Sequence, residues 1–66
     1  MKAEEVEVYT SWWEGCRDWA KPRGYGQWCF DIGGRGKLYE GPYSRCKAEA
    51  QRDAAARGIA CITLLP

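Results

Sequence analysis

The 66-residue chain carries a net charge of +1, with 45% hydrophobic and 29% charged residues, and reads as one small domain spanning residues 1–66. Four Trp, four Tyr and one Phe in so short a sequence exclude a disordered chain. No segment approaches the length of a membrane span, and the start MKAEEVEV lacks an apolar run of signal-peptide length, so a cytoplasmic (intracellular) location without a membrane partner is the expectation.

Glu5 to Thr10 alternates, with Val6 and Val8 on one face and Glu5, Glu7 and Tyr9 on the other, the pattern of a half-buried first strand. Residues 11–24, SWWEGCRDWAKPRG, break the alternation. Ser11 followed by Glu14 is a capping-box spacing that starts a loop or short helix over Trp12 to Trp19, and Gly15 and Pro22 limit its length. Tyr25 to Ile32 alternates again, setting Trp28, Phe30 and Ile32 opposite Gln27, Cys29 and Asp31. Gly33-Gly34-Arg35-Gly36 follows as a hairpin loop, and Lys37 to Gly41 is the return strand, with Leu38 and Tyr39 on opposite faces.

Pro42 ends that strand, Ser44 caps a helix from about Arg45 to Arg57, and Gly58 sits where a left-handed C-terminal residue belongs. Cys46, Ala50 and Ala54 share one face, built of residues small enough to let the helix lie close against a sheet. Ile59 to Leu65 forms the last strand. The expected fold class is α+β: a β-β-β-α-β two-layer domain whose mostly antiparallel sheet, in the order 3-2-1-4, is covered by one helix.

The chain has no His, which removes the commonest acid–base residue and every Ser-His or Cys-His arrangement. The carboxylates are scattered, and the expectation is a protein that is not an enzyme and uses no cofactor. Cys16, Cys29, Cys46 and Cys61 contain no CxxC pair, so they read as free, mostly buried thiols with no metal site. Charge is uneven: between Gly15 and Gly58, nine Lys/Arg face five Asp/Glu, leaving +4.

Two binding surfaces follow. Trp12, Trp13 and Trp19 among Arg17, Lys21 and Arg23 form a candidate partner-binding segment, because Trp and Arg are the types most enriched in binding hot spots. The competing reading puts the tryptophans in the core, and the adjacent Trp12 and Trp13 cannot easily face the same way. Alternatively, Arg35, Lys37, Arg45 and Lys47 could bind nucleic acid, with Tyr39 or Trp28 stacking on bases. A homo-oligomer pairing through the third strand is a further reading.

The stretch YGQWCFDIGGRGKLYEGPYSRCKAEAQRDAAARG resembles the β-β-β-α DNA-binding module of phage-type integrases and plant AP2-type factors, through Gly26, Trp28, Arg35, Lys37 and Ala48-Glu49-Ala50. That resemblance implies a sheet face laid on DNA, where Gln27, Cys29, Asp31, Lys37 and Tyr39 would point outward. VEVYT with the later helix and strand is similar to the first half of the ribonuclease H fold. Only Glu49 matches that family's carboxylates, because strand one ends in Thr10-Ser11, so the likeness implies topology without a two-metal site. In size and style the chain also resembles small phage and mobile-element proteins, including anti-CRISPR inhibitors, which implies docking on and inhibition of a protein or nucleoprotein.

Overall fold

A computed structural model describes all of residues 1–66. After a 3-10 turn at Ala3–Glu5 come β1 (Glu7–Tyr9), α1 (Ser11–Gly15), β2 (Tyr25–Ile32), β3 (Arg35–Pro42), α2 (Tyr43–Ala56) and β4 (Cys61–Leu64). The class is α+β: a four-stranded mixed sheet with α2 packed on one face.

Strand order corrects the expectation. It is β1-β4-β2-β3, with β4 between β1 and β2, parallel to the first and antiparallel to the second. The order 3-2-1-4 implies a pairing of the first and last strands, which the sheet has in parallel, and a direct β1–β2 neighbourhood, which it lacks. Ile62 and Leu64 give β4 two fully buried side chains, so the most apolar strand takes an interior position. The three-residue β1 exposes Glu7 and Tyr9 and takes an edge. Residues 10–24 separate β1 from β2 with no tight turn, leaving the gap that β4 fills.

Local signals held in the middle of the chain. β2 has the expected span, and Trp28, Phe30 and Ile32 are buried. The glycine loop is tighter than expected: Gly33 and Gly34, at φ 61° and 86°, make a two-residue turn, and Arg35 and Gly36 already belong to β3. Positive φ at both central positions is what a type I′ hairpin requires.

Helix α2 starts earlier than expected, at Tyr43, with Pro42 rather than Ser44 as its N-cap. Pro42 is locked in an extended conformation (φ −62°, ψ 141°), and the Tyr43 amide already donates to the Gly24 carbonyl at 2.8 Å. A serine cap is therefore not needed, and Ser44 sits exposed in the first turn. The C-terminal end is as expected. Gly58 has φ 71°, and Gly58 and Ile59 donate to Ala55 and Ala54 in the pattern that closes a helix on a left-handed residue.

The core is Val6, Trp28, Phe30, Ile32, Cys46, Ala50, Ala54, Ile62 and Leu64. Aromatic rings close one end of it. Trp28 packs on Trp13 at 5.5 Å and edge-on to Tyr43 at 4.9 Å, while its indole N–H donates to the Gly41 carbonyl. Buried and satisfied, Trp28 has no free face for stacking on bases. Gln51 ties α2 to the N-terminal segment by donating to the Val6 carbonyl at 2.9 Å.

All four cysteines are free, but they are less buried than expected: Cys46 is buried, Cys29 half-buried, Cys16 and Cys61 exposed. Alternation explains Cys29 and Cys61, which lie on the sheet face away from α2. Burial pushes the Cys46 thiol up from its ordinary pKa, so it stays protonated in the core.

Candidate functional site

The turn after β1 shows how the tryptophans are divided. Helix α1 is shorter than expected and begins at Ser11, with Thr10 as N-cap. The anticipated Ser11–Glu14 capping box does not form, because Ser11 is already the first helical residue and Thr10 makes no side-chain cap bond. The Thr10 hydroxyl donates to the Glu14 carboxylate, and Lys21 Nζ stands 3.5 Å from its other oxygen. With both oxygens paired, Glu14 is accommodated although it is buried.

Trp13, pointing inward, is the core's lid. The Arg17 guanidinium lies 4.3 Å over its ring and donates to the Trp13 carbonyl, so that cation covers the lid from outside. Trp12 and Trp19 face outward, 58% and 68% exposed. Trp19 is held in an uncommon backbone: Asp18 and Trp19 have φ 53° and 64°. The left-handed region suits an Asp but is strained for a Trp. The Trp19 amide donates to the Glu14 carbonyl at 2.7 Å, which fixes this reversal. Its ring stands over Gly15, close enough that a Cβ there would meet it at 3.5 Å. Gly15 and Trp12, three apart, share a helical face, so the two exposed indoles lie on one side of the turn. Arg23 is also exposed and forms no ion pair.

The alternative basic set does not converge. Arg35 and Lys37 lie at the hairpin end, and with Ile32, Gly36 and Arg57 they line an open pocket of about 230 Å³. Arg45 and half-buried Lys47 lie at the start of α2, where Arg45 donates to the Glu40 carbonyl at 3.2 Å. Twelve helical residues, about 18 Å of rise, separate Arg45 from Arg57. Lys37 and Tyr39 also face the opposite way from the outward positions implied by the DNA-binding resemblance. Both point to the α2 side, where Lys37 pairs with Asp53 and the Tyr39 hydroxyl donates to the same carboxylate at 3.0 Å. Asp53 also lies 3.9 Å from Arg57, so two of the pocket's cations already have a counter-ion. The i,i+4 spacing of Asp53 and Arg57 was readable in the sequence. The approach of Lys37 and Tyr39 depends on how α2 packs across β3, a contact between elements that local sequence patterns do not specify.

This triad gives the alkaline limb of stability a specific origin. Burial, then the hydrogen bond to Asp53, pushes the Tyr39 pKa up to about 12 from 10.0. The fold favours the protonated phenol, so its contribution is complete below about pH 10 and is lost as pH rises toward 12. Thermal midpoints between pH 8 and 12 should fall through that window, and Tyr39→Phe should flatten the decline. Burial also raises Tyr43, so some slope should remain in the variant. An unchanged profile in Tyr39→Phe would remove Tyr39 as the cause. Asp53 behaves oppositely: the Lys37 and Tyr39 hydrogen bonds hold its carboxyl below the usual range, so its contribution is present above about pH 4 and is lost on further acidification.

Of the outward positions implied by the DNA-binding resemblance, Gln27, Cys29 and Asp31 do lie on the sheet face away from α2. Tyr9, Thr63, Asp31 and Gly36 form one row across it, by the register of β1, β4, β2 and β3. Cys29 and Leu38 form the next, with Leu65 beside them through the hydrogen bond its backbone N–H donates to the Cys29 carbonyl. Tyr9, Tyr25 and Leu38 are all exposed. The two-layer expectation, one helix on one face, leaves this second face open, but the residues that share a row on it follow only from the observed strand order.

No protein-family model, curated protein or solved structure matches this chain.

Proposed function

We propose that the domain is a binding module that docks on a protein or nucleoprotein partner through the Trp12–Trp19 turn, and acts by occupying that partner's surface. The observation that carries this reading is Trp19, 68% exposed on a strained left-handed backbone. Trp13 already closes the core, so burial does not account for holding Trp12 and Trp19 outward on a fixed turn. Strained positions of this kind concentrate at functional sites. An indole presents a large apolar area while losing few rotamers, and Arg17, Lys21 and Arg23 give the surroundings a cationic character suited to an acidic partner face.

The experiment compares tagged protein with the Trp12→Ala/Trp19→Ala double variant in pull-downs from a cognate lysate, each split into nuclease-treated and untreated halves. The double variant should keep its cooperative thermal transition and recover at least about tenfold less partner, the order expected from losing one to two hot-spot contacts. Equal recovery by the two proteins would overturn the reading. Loss of all retained material after nuclease would replace it with nucleic-acid binding.

A further inference from the structure

We propose that β3 pairs antiparallel with β3 of a second copy, about a two-fold axis at Leu38, joining two sheets into one. β3 is an eight-residue edge strand. The direction of its unpaired backbone groups follows from the hairpin. A two-residue type I′ turn makes Ile32 and Arg35 a hydrogen-bonded pair, and the alternation of antiparallel ladders then bonds Phe30 to Lys37 and Trp28 to Tyr39. Gly36, Leu38 and Glu40 therefore turn their N–H and C=O groups away from β2. Two observations agree with this phase: the Cys29 carbonyl, opposite Leu38, is taken by the Leu65 amide on the β4 side at 2.8 Å, and the Glu40 carbonyl is reached by Arg45 from outside the ladder.

Edge strands are commonly guarded by a lysine, a proline or a cover. Here Lys37 is drawn onto Asp53 on the α2 side, and Pro42 lies only at the strand's end. The middle of the edge presents Leu38, 59% exposed.

Charge and donors select the register. An axis at Leu38 sets Gly36 opposite Glu40, Lys37 opposite Tyr39, Arg35 opposite Gly41, and Leu38 opposite itself, with no like charges facing. An axis at Lys37 opposes two ammonium groups, and one at Gly36 sets Arg35 against Lys37. An axis at Tyr39 sets Gly36 against Pro42, which lacks a donor, and one at Glu40 opposes two carboxylates. Like charges directly opposite one another disfavour a pairing. The Leu38 axis forms about six backbone hydrogen bonds, of which about four leave Arg45 on the Glu40 carbonyl. Both α2 helices lie on the same side of the joined sheet, and the two Leu38 side chains meet on its open face. An interface this small belongs to the weak, concentration-dependent class.

Sedimentation equilibrium from about 10 µM to about 1 mM tests the pairing at concentrations suited to weak association. The mass should rise from 7.5 kDa toward twice that value. Leu38→Lys places two ammonium groups on the axis, and Leu38→Pro removes an outward-facing donor without touching a bond to β2. Both should remain monomeric across the range, with Leu38→Lys keeping the wild-type thermal transition if proline disturbs the strand. A wild-type protein monomeric at the highest concentration would overturn the proposal. So would Leu38→Lys associating as strongly as wild type, which would place the contact elsewhere. Neither result bears on the Trp12–Trp19 surface, which shares no residue with this edge.

Discussion

Phe30→Ala should leave the domain largely unfolded at 25 °C. Phe30 is fully buried at the centre of β2 and packs against Tyr39 at 5.9 Å and Tyr43 at 6.3 Å. Its strand neighbour on β4 is Leu64, also fully buried. Truncating a buried Phe costs about 3–5 kcal/mol, from lost transfer free energy and from the cavity left behind. A core in a chain of this size rarely supplies more than about 3–5 kcal/mol in total. The two magnitudes cancel, so the variant has little net stability left. Urea titration followed by far-UV circular dichroism should show no folded baseline. A cooperative transition with a loss below about 1.5 kcal/mol would mean that the aromatic cluster relaxes into the vacated space.

Ala50→Leu tests the opposite fault, excess volume. Cys46, Ala50 and Ala54 are fully buried and form the surface on which α2 meets the sheet. Leucine is as good a helix former as most residues, so propensity cannot account for a loss. The added carbons must displace the helix or force neighbouring side chains off their rotamers, at about 1–3 kcal/mol. For a domain of 60–100 residues this lowers the thermal midpoint by about 4–8 °C per kcal/mol, so a fall of about 10 °C is expected. Ala56→Leu, at an exposed position in the last turn of the same helix, should change little. Equal midpoints for the two variants would show that α2 is not seated closely through its small face.

The proposed docking surface was partly legible in the sequence. The concentration of tryptophan and cations in residues 11–24 marked the segment, and the adjacency of Trp12 and Trp13 implied that they would part. Which of them turned inward was decided by Trp28, a residue far along the chain that offers Trp13 a place to pack and is itself braced by Tyr43. The left-handed backbone at Asp18 and Trp19 had no sequence signal, since neither is the glycine that such a conformation usually selects. The basic set was less legible. Grouping Arg35, Lys37, Tyr39, Arg45 and Lys47 required knowing faces and ends, and the fold separated them along α2 while turning Lys37 and Tyr39 onto Asp53.

By itself, the sequence determined the α+β class, the span and buried face of β2, the hairpin, the small-residue face of α2 and its Gly58 terminus. Each depends on residues within a few positions of one another: a period of two, a glycine pair at positive φ, a period of 3.6, a left-handed cap. Tertiary structure alone decided the insertion of β4 between β1 and β2, the capping of α2 by Pro42, and the division of the tryptophans into one lid and two exposed rings. These depend on contacts between segments distant in sequence, where burial of Ile62 and Leu64, not local propensity, determines which strand takes the interior.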